Sequence, residues 1–384
     1  MTIVAGRVVT PRGVVPGWVE TAGDRIAQVS GGLVPAGAAG SVRWTIVPGF
    51  VDVHVHGGGG HSFTAGDPDA VAQGCEFHLA HGTTTMLLSF VTAPADDLEA
   101  AARRIVGLLA DSTPALRSQV GGIHAEGPFL SAARCGAQDP EFMSDPDLDV
   151  IDGLLAAAAG HLRMMTIAPE RPGAIEAIGQ LAATGVIPAI GHTDATFDEA
   201  AAAIAAGATM ATHLGNAMSP LHHRDPGVIG ACLTAPEVCC ELIVDGHHLH
   251  PSFVRLAAAA KGRHGFVLIT DAMSATGVGD GRYRLGRLDV EVRDGVARLA
   301  GGGSLAGSTL TMDAAYRNAV AAGLDEVVAS RAASLNPARL LGIDGDVGSI
   351  EAGKRADLVV LDDHLDVRAV IAAGEVVGGT LEGS

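Results

Sequence analysis

Two histidines one residue apart, His54 and His56, close the apolar run Pro48-Gly49-Phe50-Val51-Asp52-Val53-His54-Val55-His56, and the glycines Gly57 to Gly60 follow. On a β-strand, side chains at i and i+2 share a face. The pair therefore presents two imidazoles where a strand breaks into a flexible loop, and paired imidazoles can form one edge of a metal site. The plainer alternative is two core histidines hydrogen-bonded in the interior.

The remainder of the chain bears on that choice. Glu126 (in His124-Ala125-Glu126-Gly127-Pro128), His192 (Gly191-His192-Thr193), His213 (Thr212-His213-Leu214) and Asp271 (Thr270-Asp271-Ala272) each end an apolar run in the same way. Chance core histidines would not respect strand ends, so the joint pattern favours metal ligation. Four imidazoles and two carboxylates suit a borderline divalent ion such as zinc, with Fe2+ or another first-row metal as alternatives, and could hold one ion or two bridged by a carboxylate. Such an ion lowers the pKa of water to about 7, and Asp271 is placed to move a proton as general acid or base. His124 reads as a core or supporting residue. His222, His223 and Arg224 form a small cationic cluster, and one of His247, His248 and His250 is expected near the mouth of the site. His61, His78, His81, His161, His264 and His364 read as structural, and nothing marks Cys135 as a nucleophile.

The elements that must carry these residues alternate. Apolar strands are expected at about 49–56, 83–90, 120–126, 162–169, 185–192, 208–213, 239–246 and 265–271. Helical patterns between them include Asp69–Ala80, Ala95–Ala110, Ile175–Ala183, Phe197–Ala206 and Ser252–Lys261. Eight strands alternating with helices predict an α/β fold, a (β/α)8 TIM-like barrel, with a doubly wound sheet as the alternative. In a barrel the chemistry sits at the C-terminal strand ends, where all six candidates fall. Short strands punctuated by Gly and Pro at both ends of the chain predict a small β-sandwich domain from residues 1–47 plus 347–384. The barrel then spans 48–346, with a β insertion near 281–303.

Composition excludes other classes. In 384 residues, 48% are apolar and 18% charged, so the chain buries a large core. A net charge of −18 disfavours nucleic acid and anionic membrane as partners. Five scattered cysteines with no CxxC suggest neither a disulfide framework nor a zinc knot, and with no leader-like or membrane-length apolar run they predict a cytoplasmic protein. Neither G-x-S-x-G nor a P-loop occurs. The only lysines, Lys261 and Lys354, lie away from strand ends. A carboxylated lysine bridging two metals is thereby excluded, and Glu126 is the candidate in its place.

Pro-Gly-Phe-Val-Asp-Val-His-Val-His-Gly, His-Ala-Glu-Gly-Pro-Phe-Leu, Gly-His-Thr-Asp-Ala, Thr-His-Leu-Gly-Asn-Ala-Met-Ser-Pro, Val-Asp-Gly-His-His and Ser-Leu-Ala-Gly-Ser-Thr-Leu-Thr-Met carry a resemblance over nearly the whole chain. The sequence resembles the amidohydrolase superfamily and, within it, the N-acetylglucosamine-6-phosphate deacetylase family. The resemblance implies a homodimeric hydrolase acting on a small amino-sugar phosphate. It implies that Glu126, His192 and His213 are the principal ligands, with Asp271 the catalytic acid/base. Asn216 and Ala217 match a pair contacting the sugar phosphate, Arg224 a phosphate-binding arginine reached across the dimer interface, and His248 the histidine of Asp-Gly-x-His. Leu305, Ala306 and Gly307 match a substrate-contacting segment, as do Ala137 and Gln138 in the loop after Glu126. Two departures stand out. His54 and His56 are kept where some members lack the pair and hold one metal, and Gln138 stands where many members have a substrate-binding histidine. The rivals are an amidohydrolase for cyclic amides, disfavoured by the absent barrel lysine, and a non-catalytic scaffold, disfavoured by the filled ligand positions.

Overall fold

The computed structural model describes residues 1–381. Its centre is an eight-stranded parallel sheet: Phe50–Val55, Thr83–Phe90, Val120–Glu126, Leu162–Ile167, Ile187–Ile190, Met210–Ala211, Cys239–Ile243 and Phe266–Ile269, paired in chain order. The strands are named below as the first to eighth barrel strands. Phe50–Val55 and Thr83–Phe90 are buried at every position. A strand covered by helices on one face and barrel interior on the other has no solvent side, so even their polar residues, Asp52 and His54 in the first and Thr83, Thr84, Thr85 and Ser89 in the second, are buried.

The eighth strand returns to the first, and the seam is polar. The Asp271 N–H donates to the His54 carbonyl at 2.9 Å, and Thr270 donates from its hydroxyl at 2.5 Å to Asp52 Oδ2 and from its N–H at 3.3 Å to Asp52 Oδ1. The His56 N–H then reaches the Ala272 carbonyl at 2.8 Å. Closure leaves the ends of the first and eighth strands side by side.

The expected helices form at Pro68–Ala80, Ala95–Asp111, Ala174–Thr184, Phe197–Ala205 and Pro251–Lys261. Their starts are chemically marked. Asp67 caps Ala70 N–H ahead of Pro68, and Thr196 with Glu199 closes a capping box directly after the His192 loop. Helices Leu148–Ala158 and Gly227–Thr234 were not foreseen. The latter is buried along most of its length and carries Gly227 and Gly230, so it lacks an amphipathic pattern to read. The sixth strand keeps only two residues of the expected six, because the chain turns out of extended geometry at His213, where φ is +28°.

Strands from both ends of the chain join in one seven-stranded sheet. Its order runs Glu375–Gly379, Val367–Ala372, Leu358–Leu361, Ala39–Pro48, Thr2–Thr10, Gly13–Ala22, Arg25–Gly31. Ala39–Pro48, hidden in the sequence behind a Gly- and Pro-rich approach, joins the two sets. Val4, Val8, Val19, Ile26, Trp44, Ile46, Leu358, Val360 and Ile371 pack as one cluster against it. Gly281–Leu285, Leu288–Arg293 and Val296–Leu299 form a separate three-stranded antiparallel sheet after the eighth barrel strand. No helix among the described residues is long and apolar enough to cross a membrane.

Candidate metal centre

All six strand-end residues meet over the barrel mouth. Glu126 is the hub. Its Oε1 lies 3.1 Å from His192 Nε2 and 3.0 Å from His213 Nε2, and its Oε2 lies 3.2 Å from His56 Nε2. Asp271 Oδ1 sits 3.3 Å from His56 Nε2 and 3.5 Å from His54 Nε2. Two ligand groups result, His54 with His56 and Glu126, and Glu126 with His192 and His213, every member buried.

The chemistry of these groups fits a cation. His54 and His56 bring their Nε2 atoms to 3.0 Å, and His192 and His213 bring theirs to 3.1 Å. Three of the four rings have Nδ1 engaged elsewhere: His54 at 2.9 Å from Glu241 Oε2, His56 at 3.2 Å from the Ser89 carbonyl, and His192 at 2.9 Å from the Arg134 carbonyl. An Nδ1–H that donates leaves a lone pair on Nε2, and lone pairs facing each other at 3 Å need positive charge between them. Added protons or a divalent metal can supply it, and the buried carboxylates favour either. Burial lowers the pKa of His56, but hydrogen bonds with Asp271 and Glu126 outweigh it and push it up to about 9. Burial would raise Glu126, yet the neighbouring imidazoles His54 and His192 hold it well below the usual carboxylate range. Asp271 is likewise held low, the charge on His54 and the hydrogen bond with His56 outweighing its burial.

The backbone aims these groups. His192, His213 and Asp271 adopt φ values of +46°, +28° and +49°. Non-glycine residues rarely occupy this left-handed region, which costs of order 1–3 kcal/mol where it occurs. Gly307, at φ +58°, is needed beside them, since a Cβ there would lie 2.9 Å from the Asp271 carbonyl oxygen.

Over the centre opens a cavity of about 440 Å³. His56, Glu126, His192, His213 and Asp271 line it, with Ala137, Gln138, Asn216, Ala217, His248, Leu305 and Gly307 from the sequence-derived set. His54 lies beneath the floor, fully buried. Ala306 does not reach the cavity; it is buried, its N–H bonded to the Ala297 carbonyl. Arg224 is also outside, exposed on a turn where the backbones of His222 and Asp225 pair. His248 Nδ1 is 2.6 Å from Asp245 Oδ2, leaving Nε2 as its free ring nitrogen. Gln138 accepts the Thr92 N–H at 2.8 Å through Oε1, which turns its amide N–H toward Glu126 Oε2. Its polar end is thus already engaged with a ligand of the centre. Cys135 and Arg134 line the cavity too, and Arg134 is paired with Asp194 at 2.7 Å.

The sequence pattern of the amidohydrolase family matches residues 45–377. The chain belongs to the amidohydrolase family. Within it, N-acetylgalactosamine-6-phosphate deacetylase of Escherichia coli O157:H7 is 39% identical over 368 residues, covering 94% of this chain and 96% of that protein. N-acetylglucosamine-6-phosphate deacetylase of Lysinibacillus sphaericus is 39% identical over 338 residues, covering 86% and 85%. A variant of N-acetyl-D-glucosamine-6-phosphate deacetylase from Mycobacterium smegmatis, in complex with N-acetyl-D-glucosamine-6-phosphate, superposes with a TM-score of 0.93 at 46% identity, covering 98% of this chain and 99% of that one. The amidohydrolase family uses divalent metal, and this member carries His and Glu groups able to hold it.

Beneath the candidate metal centre of this amidohydrolase lies a supporting layer that contains His124, as expected, together with residues of neighbouring strands that no sequence pattern marks. Ser89 Oγ takes the Val55 N–H at 2.9 Å and meets His124 Nδ1 at 3.0 Å; His124 Nε2 meets Thr166 Oγ1 at 2.9 Å, and Thr166 meets Thr212 Oγ1 at 2.9 Å. His124 therefore belongs to the supporting layer, and burial and the nearby His54 hold its pKa well below the ordinary value. Asp52 is pushed up to about 7 by burial, against its hydrogen bonds from Thr270 and the His54 N–H. Glu241 is the largest omission. The one signal available was an acid inside the apolar run Cys239-Cys240-Glu241-Leu242-Ile243.

Proposed function

We propose that this protein deacetylates N-acetyl-D-glucosamine 6-phosphate, releasing acetate and D-glucosamine 6-phosphate, with zinc as its divalent ion, in amino-sugar catabolism and cell-wall sugar recycling in the cytoplasm. The observation carrying this reading is the sharing of Glu126 between two buried ligand groups, with Asp271 3.3 Å from one of them under an open cavity. The substrate class follows the relatives, whose names specify 6-phosphorylated N-acetylhexosamines.

Glu126, His192 and His213 would hold the ion that serves the chemistry, and His54 and His56 with Glu126 would hold a second. A bound divalent ion supplies a nucleophile from water near neutral pH and polarises the acetyl carbonyl. Asp271, kept ionised by its imidazole neighbours, takes the proton of the attacking water at Oδ1 and passes it to the departing amine. His248, fixed by Asp245, turns Nε2 to the sugar. Asn216, Ala217, Ala137 and the Leu305–Gly307 segment, in which Ala306 supports its neighbours, shape the sugar-phosphate pocket, and Gln138 holds Glu126 at its edge. Among the described residues lining the cavity the one arginine is Arg134, already paired with Asp194. As the family resemblance implies, the phosphate is met by Arg224 of a second copy in a homodimer, and the exposure of the Arg224 turn is compatible with that role.

The test is acetate release from the 6-phosphates of N-acetylglucosamine and N-acetylgalactosamine and from the free sugars, with metal analysis of the same sample. Strong preference for the phosphorylated glucosamine derivative is expected. The galactosamine epimer is the second reading, favoured by the E. coli relative, and faster turnover of it would reverse the assignment. Arg224→Ala should raise KM roughly 10- to 100-fold for phosphorylated sugar while leaving the free sugar unaffected, the loss expected for a charged hydrogen-bond partner. Equal effects on both would remove Arg224 from the phosphate.

A further inference from the structure

We infer that Glu241 is a positioning residue that commits His54 to offer Nε2 to the metal centre, and so sets the affinity of the His54–His56 group for its ion. The inference rests on the metal reading above.

Glu241 sits midway along the seventh barrel strand and is wholly buried. A lone acid in an apolar strand is costly unless its charge is compensated. Its Oε2 accepts the His213 N–H at 2.9 Å and lies 2.9 Å from His54 Nδ1, while its Oε1 has no hydrogen-bond partner. The first of these contacts is to backbone and anchors the carboxylate. The second directs a side chain. With both neighbours donating to one oxygen, His54 must carry its proton on Nδ1, and its Nε2 lone pair faces His56, Glu126 and Asp271. A carboxylate behind an imidazole also makes the far nitrogen a stronger ligand, and losing such a partner costs on the order of 10- to 100-fold in metal affinity. The unpartnered Oε1 supports the assignment. Both of its contacts converge on Oε2, and a buried oxygen left bare is a cost that calls for a role beyond packing.

In Glu241→Gln the amide oxygen must take the place of Oε2, since both neighbours are donors. Shape and the His213 anchor are preserved, and only the charge behind His54 is lost. The experiment titrates metal-stripped full-length wild type, E241Q, H54N and the double variant with zinc alone against a competing chelator, with circular dichroism as the check on folding. Expected are two zinc ions on the wild type, a 10- to 100-fold weaker second ion on E241Q, and no further loss on adding E241Q to H54N beyond about twofold, the ordinary non-additivity of independent changes. Unchanged zinc affinity in E241Q would overturn the inference, as would an equal loss in the H54N background, which would mark Glu241 as a general structural acid. Zinc uptake by none of the four would overturn the metal reading and this inference with it. If E241Q does not fold, Glu241→Asp, which keeps the charge but shortens its reach, is titrated in its place against the same outcomes.

Discussion

His56 and His78 are both buried, and both lie against the loop that follows the first barrel strand, yet they sit at opposite electrical extremes. His78 bonds through Nε2 to the Gly57 carbonyl at 2.9 Å, and burial pushes its pKa down to about 4. His56 faces two carboxylates and is pushed up to about 9. Depth does not distinguish them; partners do. A ring that donates to a carbonyl with no carboxylate against it stays neutral, whereas a ring facing carboxylates and another lone pair calls for a cation.

The hardest way to break this contrast is to remove the hub. Glu126→Gln should lower metal content in both groups and reduce activity on the order of 10⁴-fold or more, because water left near its bulk pKa supplies almost no hydroxide at neutral pH. Metal analysis and acetate release check it, and a metal-replete, active variant would refute it. Asp271→Asn comes next. It should keep the metal while turnover falls about 10²- to 10⁴-fold, the usual worth of a general acid or base; substantial residual kcat would remove the proton-transfer role. His56→Asn should cost one ion of two and a smaller share of kcat, roughly 10- to 100-fold, read by metal stoichiometry beside single-turnover rates.

The mildest changes test the contrast through stability. His78 is lower in the folded than in the unfolded chain, so the unfolded state takes the proton first. Its contribution is complete above about pH 6.5 and is lost as pH falls toward about 4, by roughly 3 kcal/mol at most. His78→Gln should flatten the acid side of the Tm profile while leaving metal content unchanged. His56 has the opposite sign. In metal-stripped protein its contribution is complete below about pH 6.5 and is lost as pH rises through about 9, so His56→Asn should flatten the alkaline side. Identical profiles for the two variants would dissolve the distinction.

What the sequence made legible follows the same division. The barrel could be read because its strands, buried on both faces, are predominantly apolar runs that alternate with helical patterns. The centre could be read because Glu126, His192, His213 and Asp271 interrupt that pattern at its ends. Ser89, Thr166 and Glu241 could not, since a hydroxyl or lone acid inside a strand acquires meaning only from the strand beside it. Gln138 was read as a sugar contact on the pattern of relatives, and only the Thr92 N–H on its oxygen reveals that the amide faces Glu126. Helix Gly227–Thr234 has no amphipathic pattern to read because Gly227 to Leu233 are all buried.

The seam of the barrel has one more consequence. The amide of Asp271 closes onto the carbonyl of His54, so the hydrogen bond that completes the cylinder joins the proposed proton carrier to a proposed ligand. Opening the barrel at that point would spread the strand ends that converge on Glu126, and ions held by His54, His56, Glu126, His192 and His213 would oppose the opening. In hydrogen–deuterium exchange the amides of Thr270 and Asp271 should slow when zinc is added, more than amides at the far end of the same strand. Metal would then act as a clasp on the barrel as well as a reagent at its mouth, and its loss would be felt first as breathing along a single strand pair.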